Sequence, residues 1–123
     1  MAKVTYTTVG SNKLEEAKKF YDALMESIGV PAIADHPSGG RVYGGADHMF
    51  GVLGPNNKQP ATVGNGSMNG FSMDTREQVD AFHAKILALG GSCDGPPGER
   101  FPGGYFAYAR DLDGNKLAAY KIG

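Results

Sequence analysis

The sequence predicts an α+β fold of two tandem βαβββ units, forming a curved mixed β-sheet cup with one helix per unit packed outside. Three observations lead there. Two stretches carry helical periodicity, each is preceded by an alternating strand and followed by a Gly/Pro-punctuated run of short apolar segments, and matching residues recur at an offset near half the chain. Phe20 and Phe82, Gly29 and Gly90, and Arg41 and Arg100 are such matches.

Taken in order, residues 4–9 alternate as a strand, and residues 13–28 follow as a helix with Leu14, Ala17, Tyr21, Leu24 and Ile28 on one face. Asn12 is placed as its N-cap and Gly29 as its stop. Three short strands complete the first unit, over residues 32–36, 41–45 and 49–53. A polar, Pro-bounded linker over residues 54–60 leads to the second unit. There, a strand at 68–73 precedes a helix at 76–89 with Val79, Phe82, Ile86 and Leu89 on one face. Thr75 and Gln78 have capping-box spacing, and Gly90 ends the helix. Strands at 92–94, 105–110 and 116–122 finish the chain, which is read as a single domain over 1–123 with repeat units at about 1–55 and 62–123. The 19 glycines and 7 prolines act as turn punctuation, so most of the sheet must be antiparallel.

Bulk properties exclude several functions. With 41% hydrophobic and 20% charged residues the chain has ordinary globular usage, enough for one modest core. A net charge of -1 with scattered Lys and Arg gives no footprint for nucleic acid. The apolar runs fall far short of the roughly 20 residues that cross a bilayer, and the start of the chain lacks the apolar segment of a signal peptide. No membrane partner is expected, and the expected location is cytoplasmic.

Cys93 is the only cysteine, so neither an intrachain disulfide nor a Cys-based zinc cluster can form. Asp94 beside it disfavours a thiolate, and a structural role is expected. His83, in the second helix next to Phe82, is read as a packing residue. His36 and His48 each follow an aspartate in a turn. A solvated turn is the first reading for both, and a metal or proton-relay role the alternative. Gly39-Gly40, Gly44-Gly45 and Gly103-Gly104 lack the strand, helix and Lys-Ser/Thr context of a phosphate cradle.

Specific stretches resemble a known family. Thr8-Val9-Gly10-Ser11-Asn12 leading to Phe20-Tyr21-Asp22 resembles the first unit of the glyoxalase/bleomycin resistance/dioxygenase (vicinal oxygen chelate) superfamily. Gly64-Asn65-Gly66 to Phe71, Val79-Asp80-Ala81-Phe82-His83 to Gly90-Gly91, and Pro96-Pro97-Gly98-Glu99-Arg100 to Tyr105-Phe106 resemble the second. So does Arg110-Asp111-Leu112-Asp113-Gly114-Asn115, where Leu112 replaces the family's usual proline. The resemblance spans nearly the whole chain and implies the duplicated cup, but it spans lyases, dioxygenases and metal-free drug-binding proteins, so it does not fix a function.

Family metalloenzymes place His or Glu at cup positions that, carried over by motif, are Tyr6, Gly51, Met68 and Ala118 here. This set is a poor one for Zn²⁺, Ni²⁺ or Fe²⁺. No metal and no other cofactor is therefore expected. By strand alternation Thr8, Met49, Leu53, Gly70, Ser72, Lys116 and Tyr120 share those faces. Arg100 is either a clamp for a carboxylate or phosphate or an ordinary surface residue, and Tyr105 is placed at the pocket rim. The implied function is metal-independent binding of a small apolar or aromatic organic molecule by a homodimer. The alternative is a lactoylglutathione lyase-like or dioxygenase-like enzyme whose metal site is degenerate or displaced to His36 or His48. Whether any reaction is catalysed stays open at this stage.

Overall fold

The structure, a computed structural model, describes residues 1–123. They divide into two compact units, Met1–Thr62 and Val63–Gly123. No helix is long and apolar enough to cross a membrane.

The first unit runs β1 (Tyr6–Gly10), α1 (Leu14–Glu26), β2 (Ala32–Asp35), β3 (Arg41–Gly44) and β4 (Met49–Leu53). Its sheet has the order β1-β4-β3-β2, with β1 and β4 parallel and the other pairs antiparallel. The face of α1 is set by the predicted spacing, with Phe20 and Met25 added: Ala17, Phe20, Tyr21, Leu24 and Met25 are buried. Tyr21 is the pivot, 1% exposed, with its ring 5.3 Å from Phe50 and 6.4 Å from Tyr43 on the covered face of the sheet.

Asn12 is not the N-cap. Lys13 takes that position without a side-chain cap, and Ser11 Oγ accepts from the Lys13 amide at 3.0 Å. The Asn12 side chain instead grips the backbone of Ala61 in both directions, donating to its carbonyl at 2.9 Å and accepting from its amide at 2.7 Å. The amide side chain holds a donor and an acceptor on two separate atoms, matching the N–H and C=O of one residue, and its use as a clip for the following linker outcompetes capping. Gly29, at φ +74, ends α1 as expected.

Beside α1 and β3 a polar cluster is closed on itself. Arg41 donates to Asp22 at 2.6 Å and to Asp35 at 3.0 Å, and the Tyr43 hydroxyl donates to Asp22 at 2.7 Å. Burial, and then the neighbouring Asp22 carboxylate, push the Tyr43 phenol far above its ordinary range. It stays a neutral donor that fastens the sheet to the helix.

The second unit repeats the order with β5 (Asn69–Ser72), α2 (Arg76–Ala88), β6 (Ser92–Phe101), β7 (Gly104–Arg110) and β8 (Lys116–Ile122), and its sheet order β5-β8-β7-β6 matches the first. The capping box forms as the sequence predicts: Thr75 Oγ1 accepts from the Gln78 amide, and Gln78 Oε1 accepts from the Thr75 amide. Val79, Phe82, His83 and Ile86 are buried beneath α2.

β6 is longer than expected. The sequence ends a strand at Asp94 and reads a loop through Pro96 and Pro97, whereas pairing with β7 continues to Phe101 through three irregularities of register. β6 is an edge strand, where a missing N–H is tolerated and bulges absorb the extra residues. Met68 precedes β5 rather than belonging to it and is 48% exposed.

Candidate ligand-binding face

Each sheet carries its helix on one face, and the residues singled out in the sequence fall, with one exception, on the strands' opposite sides or beside them. In the first unit the parallel register sets Tyr6 beside Met49 and Thr8 beside Gly51. A Cβ placed at Gly51 would lie 3.2 Å from Thr8 Cγ2, 3.3 Å from Tyr6 Oη and 3.4 Å from Leu53 Cδ2, so these four residues share one face. The absent side chain at Gly51 leaves room for the Tyr6 phenol to lean over the strand.

In the second unit the registers align Gly70, Ala118 and Tyr108 across β5, β8 and β7, and next to them Ser72, Tyr120 and Phe106. Tyr108, Phe106 and Tyr120 form a row, with centroids of Phe106 and Tyr108 6.0 Å apart and those of Phe106 and Tyr120 5.2 Å apart at 13°. Phe101 adds a fourth ring 5.8 Å from Phe106. Both ends of the row rest on glycine: a Cβ at Gly70 would lie 3.2 Å from Tyr120, and one at Gly95 would lie 2.9 Å from Tyr108. Those glycines belong to the edge strands β5 and β6, so the row spans the width of the sheet.

Charge collects at the Tyr108 end. Arg100 Cζ lies 5.4 Å and Lys116 Nζ 4.9 Å from the Tyr108 centroid, within cation–π range. Asp94 pairs with Lys116 at 3.3 Å and Arg110 at 3.1 Å. The hydrogen bond from Lys116, and then the field of Arg110, hold the Asp94 carboxyl below its usual range. Arg100 donates to the Pro96 carbonyl at 2.6 Å and has no carboxylate partner.

Tyr105 is the exception and a correction to the rim position read from the sequence. Its neighbours in β7 set its parity, so it stands on the helix side, where its hydroxyl donates to Asp80 at 2.6 Å and Arg76 lies over its ring at 4.9 Å. The Asp80 carboxylate pushes its phenol upward. Sequence reading missed Phe106 and Tyr108. A usable signal was present: once Ala118 and Tyr120 are assigned to the open face, an antiparallel hairpin pairing Arg110 with Lys116 assigns Tyr108 and Phe106 to it as well.

The four positions carried over as metal ligands do not fit a divalent metal. Gly51 and Ala118 bring no donor atom, Met68 a thioether and Tyr6 a phenol. His36 Nδ1 is held by Ser38, 2.9 Å from its Oγ and accepting from its amide at 3.1 Å. It lines a groove of about 1210 Å³ in the first unit with Asn12, Pro37, Pro55 and Lys58. His48 Nε2 is 3.1 Å from Thr7 Oγ1. No three His, Cys, Asp or Glu side chains converge as a metal site would need.

His83 packs as the sequence suggests, 7% exposed under α2, with Nε2 3.2 Å from Cys93 Sγ. Burial lowers its pKa below 6.5, outweighing the opposing pull of a hydrogen bond to the Tyr108 backbone and of Asp80. Below about pH 6.5 the unfolded chain binds a proton that folded His83 resists, so stability present above that pH is lost as the pH falls. We expect the melting temperature to drop more between about pH 7.5 and 5 in the wild type than in His83→Gln. Equal drops would show that His83 is not the group responsible.

Comparison with known proteins follows the same lines. The family model described as glyoxalase/bleomycin resistance protein/dioxygenase superfamily matches residues 3–119. A glyoxalase/bleomycin resistance protein from Albidiferax ferrireducens T118 is 45% identical, with a TM-score of 0.89 over 99% of this chain and 100% of that one. Likenesses of fold alone include a glyoxalase-related enzyme from Fulvimarina pelagi, at 20% identity and TM-score 0.78 over 98% of this chain and 88% of that one. A lactoylglutathione lyase from Agrobacterium tumefaciens is similar at 20% identity and TM-score 0.72, over 98% and 94%. No curated protein matches the chain.

Proposed function

The chain belongs to the glyoxalase/bleomycin resistance protein/dioxygenase superfamily, and we propose that within it this protein binds a small aromatic or apolar organic molecule without the help of a metal. The observation that carries this reading is the open face of the second sheet. Where a metalloenzyme of the family would need a ligating side chain, Ala118 brings only a buried methyl between Gly70 and Tyr108, and the adjoining surface is the row of Tyr108, Phe106 and Tyr120. Aromatic rings beside small residues suit a flat apolar partner through dispersion and π-stacking. Tyr6, Thr8, Met49 and Gly51 offer a face of similar character in the first unit. The homodimer implied by the family resemblance and the cytoplasmic location expected from the sequence belong to the same reading.

The test combines metal analysis with ligand-observed NMR on the purified full chain. No stoichiometric metal and no rise in melting temperature with Zn²⁺, Ni²⁺ or Fe²⁺ are expected. Saturation transfer to the neutral probe 2-naphthylmethanol is expected, and should fall severalfold in Phe106→Ala, since aromatic–aromatic contacts of this kind are worth about 0.5–1.5 kcal/mol beyond area burial. One tightly held metal per chain would overturn the reading in favour of a metal-dependent enzyme.

A further inference from the structure

The aromatic row has a charged end, and that asymmetry specifies more than apolar binding. Arg100 and Lys116 both lie over Tyr108, and Arg110 stands beside Lys116 in the paired register. Against these three cations the cluster provides a single carboxylate, Asp94, which is engaged by Lys116 and Arg110. The Arg100 guanidinium is anchored by the Pro96 carbonyl and the Tyr108 ring, which fix its position without neutralising it. Its remaining N–H groups form a planar donor array. At the other end, Phe106 and Tyr120 stack at 13°, and the cations of the cluster lie over Tyr108 instead.

We infer that the ligand is a planar aromatic anion, its ring against Phe106 and Tyr120 and its carboxylate, sulfonate or phosphate directed to Arg100 and Lys116 at the Tyr108 end. This rests on the reading of the second sheet as the binding face and adds the charge and the direction in which the ligand lies. A guanidinium already oriented by a backbone carbonyl and a neighbouring ring loses little freedom when it accepts an anion. The net excess of positive charge attracts an anion over the distance of a Debye length, about 10 Å at 0.1 M salt.

Two probes of nearly the same shape separate the inference from the reading beneath it: naphthalene-2-carboxylate and the neutral naphthalene-2-carboxamide, titrated into the full chain at low and high salt. The carboxylate is expected to bind at least about tenfold more tightly at low salt, with the advantage shrinking at high salt. In the double variant Arg100→Gln/Lys116→Gln the two probes should bind within about twofold of each other. Asp94→Asn should raise the preference for the carboxylate over the carboxamide. These side chains are at the surface, and an unchanged melting temperature establishes that the variants are folded. Equal affinity of the two probes for the wild type overturns the anion inference while leaving an aromatic binding face in place. Failure of both probes to bind overturns the inference together with the reading on which it rests.

Discussion

Replacing Phe82 by Ala is expected to cost about 3–5 kcal/mol of folding stability, a large share of the 5–15 kcal/mol that a domain has. The ring is 2% exposed on the buried face of α2 and sits 5.1 Å from Phe71 of β5. β5 is an edge strand held by β8 on one side only, so packing against α2 is its second restraint. Truncation opens a cavity the size of an aromatic ring at the point where helix and edge strand meet, and the close-packed neighbours can only partly collapse into it. Urea unfolding of the full chain should show the loss as a lower midpoint at unchanged slope, with a melting temperature reduced by on the order of 10–20 °C. Phe82→Leu, which keeps most of the volume, should recover more than half of the loss. A cost under about 1 kcal/mol for the alanine variant would mean that α2 does not pack as described.

The two helices and their stops were legible in the sequence because a 3.6-residue period and a left-handed glycine are local signals, readable without knowing what lies opposite. The capping box was legible for the same reason, since Thr75 and Gln78 satisfy each other. Asn12 was not. Its partner is the backbone of Ala61, a contact of the kind that a window of neighbouring residues cannot reveal. The proline pair in β6 reads as a loop on propensity, and only its position at the sheet edge makes it a strand. The open face was legible in part. Tyr6, Gly51 and Ala118 come from the family resemblance, and Thr8, Met49, Gly70 and Tyr120 join them by alternation within single strands. Tyr105 and Tyr108 differ in parity, and choosing between them needs the register of the β7–β8 hairpin, where a slip of one residue exchanges the two faces.

The turn that sets this register is tied by one carboxylate as well as by its backbone, which makes Asp111→Ala the second large effect expected. Asp111 is 6% exposed in the turn between β7 and β8. Its Oδ1 accepts from the amides of Asp113 and Asn115, each at 2.9 Å, and its Oδ2 accepts from Asn115 Nδ2 at 2.9 Å. The backbone closes the same turn: the Asp111 amide donates to Asn115 at 3.0 Å, and Gly114, at φ +91, donates to Asp111 at 3.1 Å. The motif Asp111-Leu112-Asp113-Gly114-Asn115 thus acts as an internal staple that needs no external ligand, and the leucine leaves it intact because the proline it replaces would add no hydrogen bond. Removing the carboxylate takes the acceptor from three hydrogen bonds, two of them made by the buried Asn115, at a cost of about 2–4 kcal/mol. Asp111→Asn separates this account from a general effect of charge. The amide keeps an oxygen for the two backbone donors but turns an NH₂ toward Asn115 Nδ2, so about half of the loss should return. Were the alanine and asparagine variants equally unstable, the negative charge rather than the pattern of acceptors would be what the turn requires. The expected order, wild type above Asp111→Asn above Asp111→Ala, should reappear in binding of 2-naphthylmethanol measured at one temperature just below the wild-type melting temperature, because only a hairpin in this register presents Tyr108 and Phe106 beside Ala118 and Tyr120.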